Sequence, residues 1–391
     1  MKYNFDKVID RSGTSAEKVE GLKHIWGRTD LIPLWVADMD FATAPFVTDA
    51  IRKRCENEVL GYTGKPDSYY NAIINWVKQR YDLVVAKEMI NFVPGIVPGI
   101  GMAMNCFTQK GDKVMIQPPV YHPFAWVTTR NERTLVINPL KWENGMYRMD
   151  LDAFREQIKG CKLFILCNPH NPGGVVWTEA ELRAIADICY DEKVLVFSDE
   201  IHADLTLPPH THRPFATVCE KARMNSVTFM SPSKAFNMPG LSASHALIFN
   251  EDLRKRFRIY MDAGELDMGH VFAFLSVEAA YSHGTEWLDQ CLAYIQGNID
   301  FVDEFLKKHA PKIKAIRPEA SYLVWLDCRE LELSQKDLNE FFVDKAHLAL
   351  NDGEMFGKEG IGFMRLNVAS PRCIIEKAMK QLADAYQLYI K

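Results

Sequence analysis

Short apolar runs alternate with helical patterns along the middle of the chain. The apolar runs are rich in β-branched residues and nearly continuous in apolar character, which is typical of strands covered on both faces. They lie at 113–117, 134–138, 162–168, 193–198, 226–230 and 245–249. Helical patterns separate them at about 99–108, 123–131, 150–159 and 178–191. The alternation predicts an α/β sheet with helices on both of its faces.

The final third of the chain has a different pattern. A long helical pattern from about 285 to 308 is followed by two strand-like runs, at 321–327 and 363–369. A last helix follows, with Ser370 as its predicted N-cap and Pro371 in its first turn. We interpret this third as a smaller α+β domain. The first 45 or so residues lack a strand pattern and are expected to pack against it.

Length and charge narrow the classes of function. The 391 residues exceed the roughly 250–300 that usually share one core, so two domains are expected. Acidic residues outnumber basic ones by 51 to 46 and no long basic run is present, so a nucleic-acid partner is not expected. No apolar stretch reaches the roughly 18–20 residues of a membrane span, and the charged N-terminal segment is unlike a signal peptide. We therefore expect a cytoplasmic protein with no membrane partner.

The nine cysteines are scattered along the chain, and the shortest spacing, between Cys161 and Cys167, is six residues. No C-x-x-C pair occurs, which excludes zinc-ribbon and thioredoxin motifs. Most of these cysteines are expected to be buried, reduced thiols, in keeping with the cytoplasm. No metal site is expected.

One lysine stands at the end of an apolar strand. Lys234 follows the predicted strand 226–230 within Ser-Pro-Ser-Lys-Ala-Phe-Asn, a turn-rich loop that is expected to direct its side chain into a cleft. A surface lysine is the simplest interpretation of any single lysine. Ser231 and Lys234 also match the S-x-x-K motif of penicillin-type acylases, but the accompanying S-D-N and K-T-G motifs are absent. The third interpretation is a lysine that forms a Schiff base with an aldehyde cofactor.

Such a cofactor, pyridoxal phosphate (PLP), requires an acid beside its ring nitrogen, because the protonated ring acts as an electron sink. Asp199 follows the predicted strand 193–198, at the edge where α/β sheets present functional groups. For this residue alone, a turn or cap role is the alternative. His202, three residues later, can approach the ring hydroxyl, which makes Asp-Glu-Ile-His more specific than the aspartate alone.

A glycine-rich segment is a candidate phosphate site. Gly95, Gly99 and Gly101 lie at the junction between a loop and a predicted helix, whose first backbone N–H groups can bind an anion. The segment matches neither the dinucleotide fingerprint nor the P-loop. The hydroxyl groups of Ser231 and Ser233 are further candidate donors.

Two other strand ends carry candidate contacts to the cofactor ring. The loop 167–174 contains two Asn-Pro steps and two glycines, which produce an irregular backbone beside a strand end. Asn171 in this loop is a candidate donor to the ring hydroxyl oxygen, and an elaborate turn is the alternative. Tyr121 is suited to stacking on a flat ring, with ordinary core packing as an equal alternative.

These motifs occur in the order and spacing of fold-type I PLP enzymes, and the chain resembles the MalY/PatB group of cystathionine β-lyases, also called C–S lyases. Segments 34–41, 61–70, 94–101, 118–124 and 363–372 extend the resemblance over essentially the whole chain. It implies the α/β fold of PLP-dependent transferases of the aspartate aminotransferase type. The implied large domain, 48–285, has a mostly parallel sheet covered by helices. The implied small α+β domain comprises residues 1–47 and 286–391.

The resemblance also implies a role for each candidate residue. Lys234 would bind PLP as a Schiff base, Asp199 would pair with the ring nitrogen, and Tyr121 would stack on the ring. Arg365 would bind the substrate α-carboxylate through a two-pronged ion pair. Tyr62 would reach the phosphate of the neighbouring subunit in a homodimer. The other implied contacts are Asn171 and His202 at the ring hydroxyl, Gly95, Ile96, Val97, Ser231 and Ser233 at the phosphate, and Trp35, Val36 and Ala37 beside the substrate.

The implied reaction is β-elimination from a sulfur amino acid such as cystathionine or cysteine, giving a thiol (homocysteine or hydrogen sulfide), pyruvate and ammonia. Lys234 would remove the Cα proton, and either Lys234 or Tyr121 would protonate the departing sulfur. Gly240-Leu241-Ser242 stands where many aminotransferases have G-x-R with a phosphate-binding arginine, which separates this chain from ordinary aspartate-type transaminases. An aminotransferase on the same scaffold and a regulatory protein that binds a partner are the alternatives.

Overall fold

A seven-stranded sheet forms the centre of the fold. The structure, a computed structural model, describes residues 3–390; Met1, Lys2 and Lys391, which the predicted domain bounds include, lie outside the described residues. One strand, Ser244–Leu247, runs antiparallel to both of its neighbours, and the others are parallel, so the sheet is mostly parallel as predicted. In spatial order the strands are Ile90–Val93, Ser244–Leu247, Ser226–Met230, Leu195–Asp199, Cys161–Cys167, Lys113–Ile116 and Thr134–Ile137.

Side chains of the central strands alternate between two cores. Leu163 and Ile165 are buried with the helix Ile96–Phe107 on one face of the sheet. Phe164 and Leu166 are buried on the opposite face with the helix Glu179–Asp191. Because both faces are covered, consecutive positions of such a strand must be apolar, which explains the continuous apolar runs in the sequence.

Helices cover both faces and connect the strands. Glu179–Asp191 begins at a capping box, in which the Thr178 hydroxyl accepts from the Glu181 N–H at 3.2 Å and the Glu181 carboxylate accepts from the Thr178 N–H at 2.8 Å. Within residues 3–390, no helix is both long and apolar enough to cross a membrane. The described helices are Glu17–Trp26, Pro45–Cys55, Asp67–Tyr81, Ile96–Phe107, Pro123–Arg130, Leu151–Gln157, Glu179–Asp191, Glu220–Met224, Glu251–Ala263, Val271–His283, Thr285–His309, Gln335–Glu340 and Arg372–Tyr389.

A second sheet, of four antiparallel strands, lies in the last third of the chain, where two of its strands were predicted. The long helix Thr285–His309 is also present as predicted. The predicted cap of the last helix is wrong, because Pro371 occupies the N-cap position and the buried Ser370 hydroxyl, one residue earlier, has no partner. In spatial order the strands of this sheet are Lys314–Ile316, Leu323–Asp327, Phe363–Asn367 and Asn351–Asp352.

The N-terminal segment packs against this smaller sheet, as expected, but it also contains a short strand. Ile32–Pro33 pairs in parallel with Leu348–Ala349, so the expectation that this region lacks a strand is wrong. Two residues, one of them proline, are too few to produce an alternating pattern. The Asn367 N–H then donates to the Leu34 carbonyl at 2.9 Å, which holds the next residues beside the strand that contains Arg365.

The carboxyl ends of the parallel strands meet at one edge of the large sheet. Loops and helix starts that follow these ends therefore converge, although they are far apart in the sequence. Gly95, Tyr121, Asn171, His202 and Lys234 all lie in such segments, after the strands ending at 93, 116, 167, 199 and 230. This edge positions the candidate site.

Candidate active site

Lys234 lies in the turn after the strand Ser226–Met230, with its amine inside the protein. Its Nζ donates a hydrogen bond of 2.6 Å to the Ala37 carbonyl oxygen. Burial lowers the pKa of Lys234 to about 8; Asp38 opposes this shift, and Arg365 adds to it. A larger fraction of this amine is therefore neutral near physiological pH than of an ordinary lysine, as a nucleophile or base requires.

Asp199 ends the strand Leu195–Asp199 and its carboxyl group is buried. Burial raises the pKa of Asp199 to about 7, while a hydrogen bond of 3.1 Å from the Ile201 N–H lowers it and Glu200 raises it further. Among the described residues, this carboxyl group has no ion-pair partner within 4 Å. A cation placed against it, such as a protonated ring nitrogen, would stabilise its charged form.

His202 is also buried, and its Nδ1 has no hydrogen-bond partner. Burial is the main cause that lowers its pKa to about 3, and the charges of Lys234 and Arg365 act in the same direction. The ring is therefore neutral at physiological pH. An orphaned buried nitrogen indicates a missing polar partner, which a bound ligand can supply.

Gly95 precedes the helix Ile96–Phe107 and has a φ of 132°, which residues with a side chain rarely adopt. The N–H groups of Ile96 and Val97 belong to the first helical turn, which has no intrahelical acceptors for them, and Pro98 has no N–H. These free donors at a helix N-terminus fit a phosphate group.

The two candidate serines have different positions. Ser233 lines the cavity beside Lys234. Ser231 lies behind it, with its hydroxyl 2.8 Å from the Ala243 carbonyl oxygen and 2.9 Å from the Ser233 hydroxyl. Ser231 therefore orients Ser233 in this structure.

The guanidinium group of Arg365 reaches the site from the smaller sheet and is 4% exposed. It donates to Asn171 Oδ1 at 3.1 Å, to Asn351 Oδ1 at 2.6 Å and to the Trp35 carbonyl at 3.2 Å, while its Nε has no partner. Its carbon Cζ lies 4.8 Å from the centre of the Phe356 ring. Burial lowers the pKa of Arg365 to about 10. All of its partners are neutral, so it retains its full charge for an anionic ligand.

Residues 35–37 enter the site through their backbone. Their carbonyl groups accept hydrogen bonds in turn from Arg365, from Asn367 Nδ2 at 2.7 Å and from Lys234. The indole ring of Trp35 contacts the Trp26 ring, with centroids 5.3 Å apart. Trp35, Val36 and Ala37 thus connect the candidate carboxylate-binding arginine to the candidate Schiff-base lysine.

The two candidate tyrosines lie in unlike places. Tyr121 lines the cavity, and burial together with Asp199 raises the pKa of its hydroxyl. Tyr62 is 99% exposed and lines a separate surface pocket with residues 63–65, 267 and 268, so within one chain it does not join the other candidates.

The candidates surround one cavity of about 200 Å³, whose lining includes Ala37, Gly95, Ile96, Val97, Tyr121, Asn171, Asp199, His202, Ser233 and Lys234. The buried acid, the unpartnered His202 nitrogen, the aromatic ring and the free N–H groups are the partners that the ring nitrogen, the hydroxyl, the ring face and the phosphate of PLP require. The residues present therefore fit this cofactor. A larger cleft of about 970 Å³ contains neither Lys234 nor Asp199. No group of three or more metal-ligating side chains occurs in the described part of the chain.

Several residues of the site were not predicted. Tyr322 donates its hydroxyl proton to the Ala37 carbonyl at 2.9 Å, and Asn351 and Asn367 hold Arg365 and the 36–38 backbone. Ser242, at the position where many aminotransferases carry arginine, lines the cavity and has a left-handed backbone with φ 46°. The first three lie on or beside the smaller sheet, and single polar residues there form no motif in the sequence.

Comparison with known proteins gives consistent matches over nearly the full chain. The sequence profile of the family "Aminotransferase class I and II" matches residues 29–382. Cystathionine beta-lyase PatB of Bacillus subtilis (strain 168) is 38% identical over 98% of this chain and 99% of its own. The structure of cystalysin from Treponema denticola, which contains PLP, has a TM-score of 0.96 and 33% identity and covers all of both chains. The PLP-bound C–S lyase of Staphylococcus hominis has a TM-score of 0.90 and 35% identity over 98% of both chains.

Proposed function

Since this chain belongs to the aminotransferase class I and II family, we propose that it is a PLP-dependent C–S β-lyase of the cystathionine β-lyase type. Its substrates are amino acids that carry sulfur on Cβ, with cystathionine and cysteine as the first candidates. The products are a thiol, pyruvate and ammonia. The single observation that carries this proposal is one buried cavity lined by Lys234 and Asp199, with Arg365 hydrogen-bonded to Asn171 on its wall.

Each residue around the cavity would hold one part of the cofactor. Asp199 would hold the ring nitrogen, and Asn171 and His202 the ring hydroxyl. Tyr121 would cover the ring face, and Lys234 would attach the aldehyde carbon. The phosphate would be held by Gly95, Ile96, Val97 and Ser233, with Ser231 orienting Ser233.

When bound, PLP withdraws electrons from the substrate Cα, so that the Cα proton becomes acidic and a thiolate can leave Cβ. Arg365, which is itself buried, would fix the substrate carboxylate by a charge-assisted pair. Nζ of Lys234 would then remove the proton from Cα, for which its lowered pKa prepares it. The sulfur proton would come from Nζ or from the Tyr121 hydroxyl, both of which line the same cavity.

The test is product analysis with purified holoenzyme. Release of a thiol and pyruvate from cystathionine or cysteine, with no keto acid added, is the expected result. Lys234→Ala should lower this rate by several orders of magnitude, because the variant has lost both the attachment point and the base. A variant that retains the wild-type rate would refute the assignment of Lys234. Turnover that depends strictly on an added keto acid would identify an aminotransferase instead.

We further propose that the active unit is a homodimer, in which Tyr62 of each subunit reaches the phosphate in the other. The segment that carries it is exposed together with apolar neighbours, since Val59 is 72% and Leu60 59% exposed, which is unusual unless a partner covers them. Sedimentation of the holoenzyme should give twice the chain mass.

We also propose a cytoplasmic location. All nine cysteines are free thiols in the structure, in keeping with a reducing compartment. Fractionation of cells that express the tagged protein tests this location.

A further inference from the structure

A second pocket adjoins the candidate active site. We name it the outer pocket; its volume is about 510 Å³, and its walls are His122, Trp126 and Ile137 on one side and Met355, Phe356 and Glu359 on the other. The Val120 N–H donates to the Phe356 carbonyl at 2.9 Å, which ties the two walls together.

Residues of the outer pocket contact residues of the active site. His122 follows Tyr121, whose side chain lines the cavity that contains Lys234, and the centroids of the two rings are 5.5 Å apart. Phe356 holds the Arg365 guanidinium against its ring face. A substrate whose carboxylate is bound by Arg365 therefore has the outer pocket beside it.

The outer pocket has an apolar surface exposed to solvent. Trp126, Ile137 and Met355 are 46%, 41% and 38% exposed, although large apolar side chains are usually covered. The His122 ring packs against the Trp126 ring with centroids 4.4 Å apart, and burial lowers the pKa of His122 to about 4, so it is neutral at physiological pH. An alkyl or aryl group would gain favourable burial here.

Two polar atoms of the outer pocket lack partners. Glu359 Oε1 and His122 Nδ1 are both buried and unpaired. The carboxylate of Glu359 lies over Gly357, where an added Cβ would be 2.8 Å from Oε2. The other charged residues of this wall, Glu354 and Lys358, are exposed, so water screens them. Glu359 is half-buried, and a carboxylate with one buried, unpaired oxygen favours a cationic group and disfavours a second anion.

Resting on the proposed lyase function, we propose that the outer pocket binds the substituent on the substrate sulfur, and that Glu359 selects a substituent ending in an ammonium group against one ending in a carboxylate. S-(2-aminoethyl)-cysteine is then a better fit than S-carboxymethyl-cysteine. The apolar walls hold the intervening carbon chain.

Binding of unreactive isosteres separates this selection from the basicity of the leaving thiol. L-Lysine, L-2-aminoheptanoate and L-2-aminoadipate place an ammonium, a methyl and a carboxylate group at comparable positions. Their dissociation constants follow from the change in visible absorbance of the holoenzyme. In the wild type, 2-aminoadipate should bind at least about tenfold more weakly than 2-aminoheptanoate.

Glu359→Gln keeps the shape of the side chain and removes its charge. This variant should bind lysine about tenfold more weakly, relative to 2-aminoheptanoate, than the wild type does. It should bind 2-aminoadipate more tightly relative to the same reference compound. Glu354→Gln, which removes an exposed carboxylate from the same segment, is the matched control and should change neither ratio by more than about twofold.

If both ratios of dissociation constants in Glu359→Gln stay within twofold of their wild-type values, this inference is overturned. Its failure is distinguishable from failure of the proposed function. If the wild type releases pyruvate from S-propyl-cysteine but the binding ratios are unchanged in Glu359→Gln, only the role of Glu359 is refuted. Absence of pyruvate from every S-substituted cysteine removes the lyase function itself, and the outer pocket then loses its proposed ligand.

Discussion

At the scale of single residues, the amine of Lys234 lies among groups that act on its pKa in opposite directions. Burial and the Arg365 charge favour the neutral amine, whereas Asp38 and Asp199 favour the ammonium form. Asp38 is held by Arg11 at 2.6 Å and Asp40 by Lys18 at 2.8 Å, so the neighbouring carboxylates are partly neutralised. Burial therefore has the largest effect, and the pKa of Lys234 is about 8.

A first prediction follows for binding of PLP to the apoenzyme, which requires a neutral Lys234. With a pKa of about 8, the neutral fraction is about a tenth at pH 7 and about half at pH 8. The rate of covalent PLP binding at limiting PLP should therefore rise about tenfold per pH unit up to pH 7 and level off above about 8. Stopped-flow absorbance measures this rate. A rate that still rises tenfold per unit between pH 9 and 10 would indicate an unshifted lysine.

A second prediction concerns Arg365, whose neutral partners leave its charge available. Arg365→Lys keeps a positive charge but loses the planar fork that matches a carboxylate, so the kcat/KM for cystathionine should fall by about a hundredfold. The loss should appear mainly in KM, because the arginine binds a group that does not react. Steady-state pyruvate release measures both constants. Lys336→Arg, at an exposed helical site, is the control. A KM within twofold of the wild type would contradict the role of Arg365.

The site residues that follow strand ends could be found from the sequence alone, whereas the residues that hydrogen-bond to the site and hold it in place could not. Lys234, Asp199, Asn171 and Tyr121 follow recognisable apolar runs, so their convergence was predictable from the sheet edge. Asn367 and Tyr322 contact backbone carbonyls of the N-terminal segment, hundreds of positions away, and Asn351 contacts Arg365 from the neighbouring strand of the smaller sheet. Their positions depend on how the smaller sheet packs, which no local pattern encodes.

At the scale of elements, strands buried on both faces were the most predictable part of the fold. The six runs predicted for the large sheet all form strands, with ends shifted by at most two residues. The edge strand Ile90–Val93 was missed because Asn91, whose side chain donates to the Ala246 carbonyl at 3.3 Å, interrupts its apolar run. The hairpin of Lys141–Glu143 and Met146–Arg148 was missed because each of its strands is only three residues long.

The strand Ser244–Leu247 carries an unusual buried residue, His245. It is 0% exposed, and neither ring nitrogen has a partner. Burial lowers its pKa to about 3. An unfolded histidine binds a proton below about pH 6.5, whereas the folded one does not until about pH 3, so between these values the unfolded state takes up more protons. The stability that depends on the neutral ring is therefore present above pH 6.5 and is lost as the pH falls.

A third prediction is that His245→Leu stabilises the protein and reduces its sensitivity to acid. Removing two unpaired buried nitrogens should raise the free energy of unfolding by about 1–3 kcal/mol at pH 7. The variant should also avoid the loss of about 2 kcal/mol that one such histidine causes between pH 6.5 and 5. Urea unfolding of the holoenzyme at pH 7, 6.5 and 5 measures these changes. His24→Leu, at an exposed position, is the control, and equal pH dependence in wild type and His245→Leu would contradict the argument.

At the scale of the whole molecule, the division into a large domain, 48–285, and a small domain from both chain ends stays a prediction. The large sheet lies within residues 90–247 and the smaller one within 314–367, in keeping with it. The site combines both parts, because Arg365 comes from the smaller sheet and Lys234 from the edge of the large one. The exposed Tyr62 is the one predicted cofactor contact that lies in a separate surface pocket within a single chain.

The final prediction tests whether Tyr62 completes the site of its partner subunit. Tyr62→Ala and Lys234→Ala should each be nearly inactive as pure dimers. In a hybrid dimer, the subunit with Tyr62→Ala keeps its own Lys234 and receives an intact Tyr62 from the other subunit, so one of the two sites is complete. Random re-association of equal amounts should restore about a quarter of the wild-type activity, since about half of the dimers are hybrids with one working site each. If Tyr62 acted within its own chain, every site in the hybrid would lack one residue, and the mixture would show no more pyruvate release than its two components.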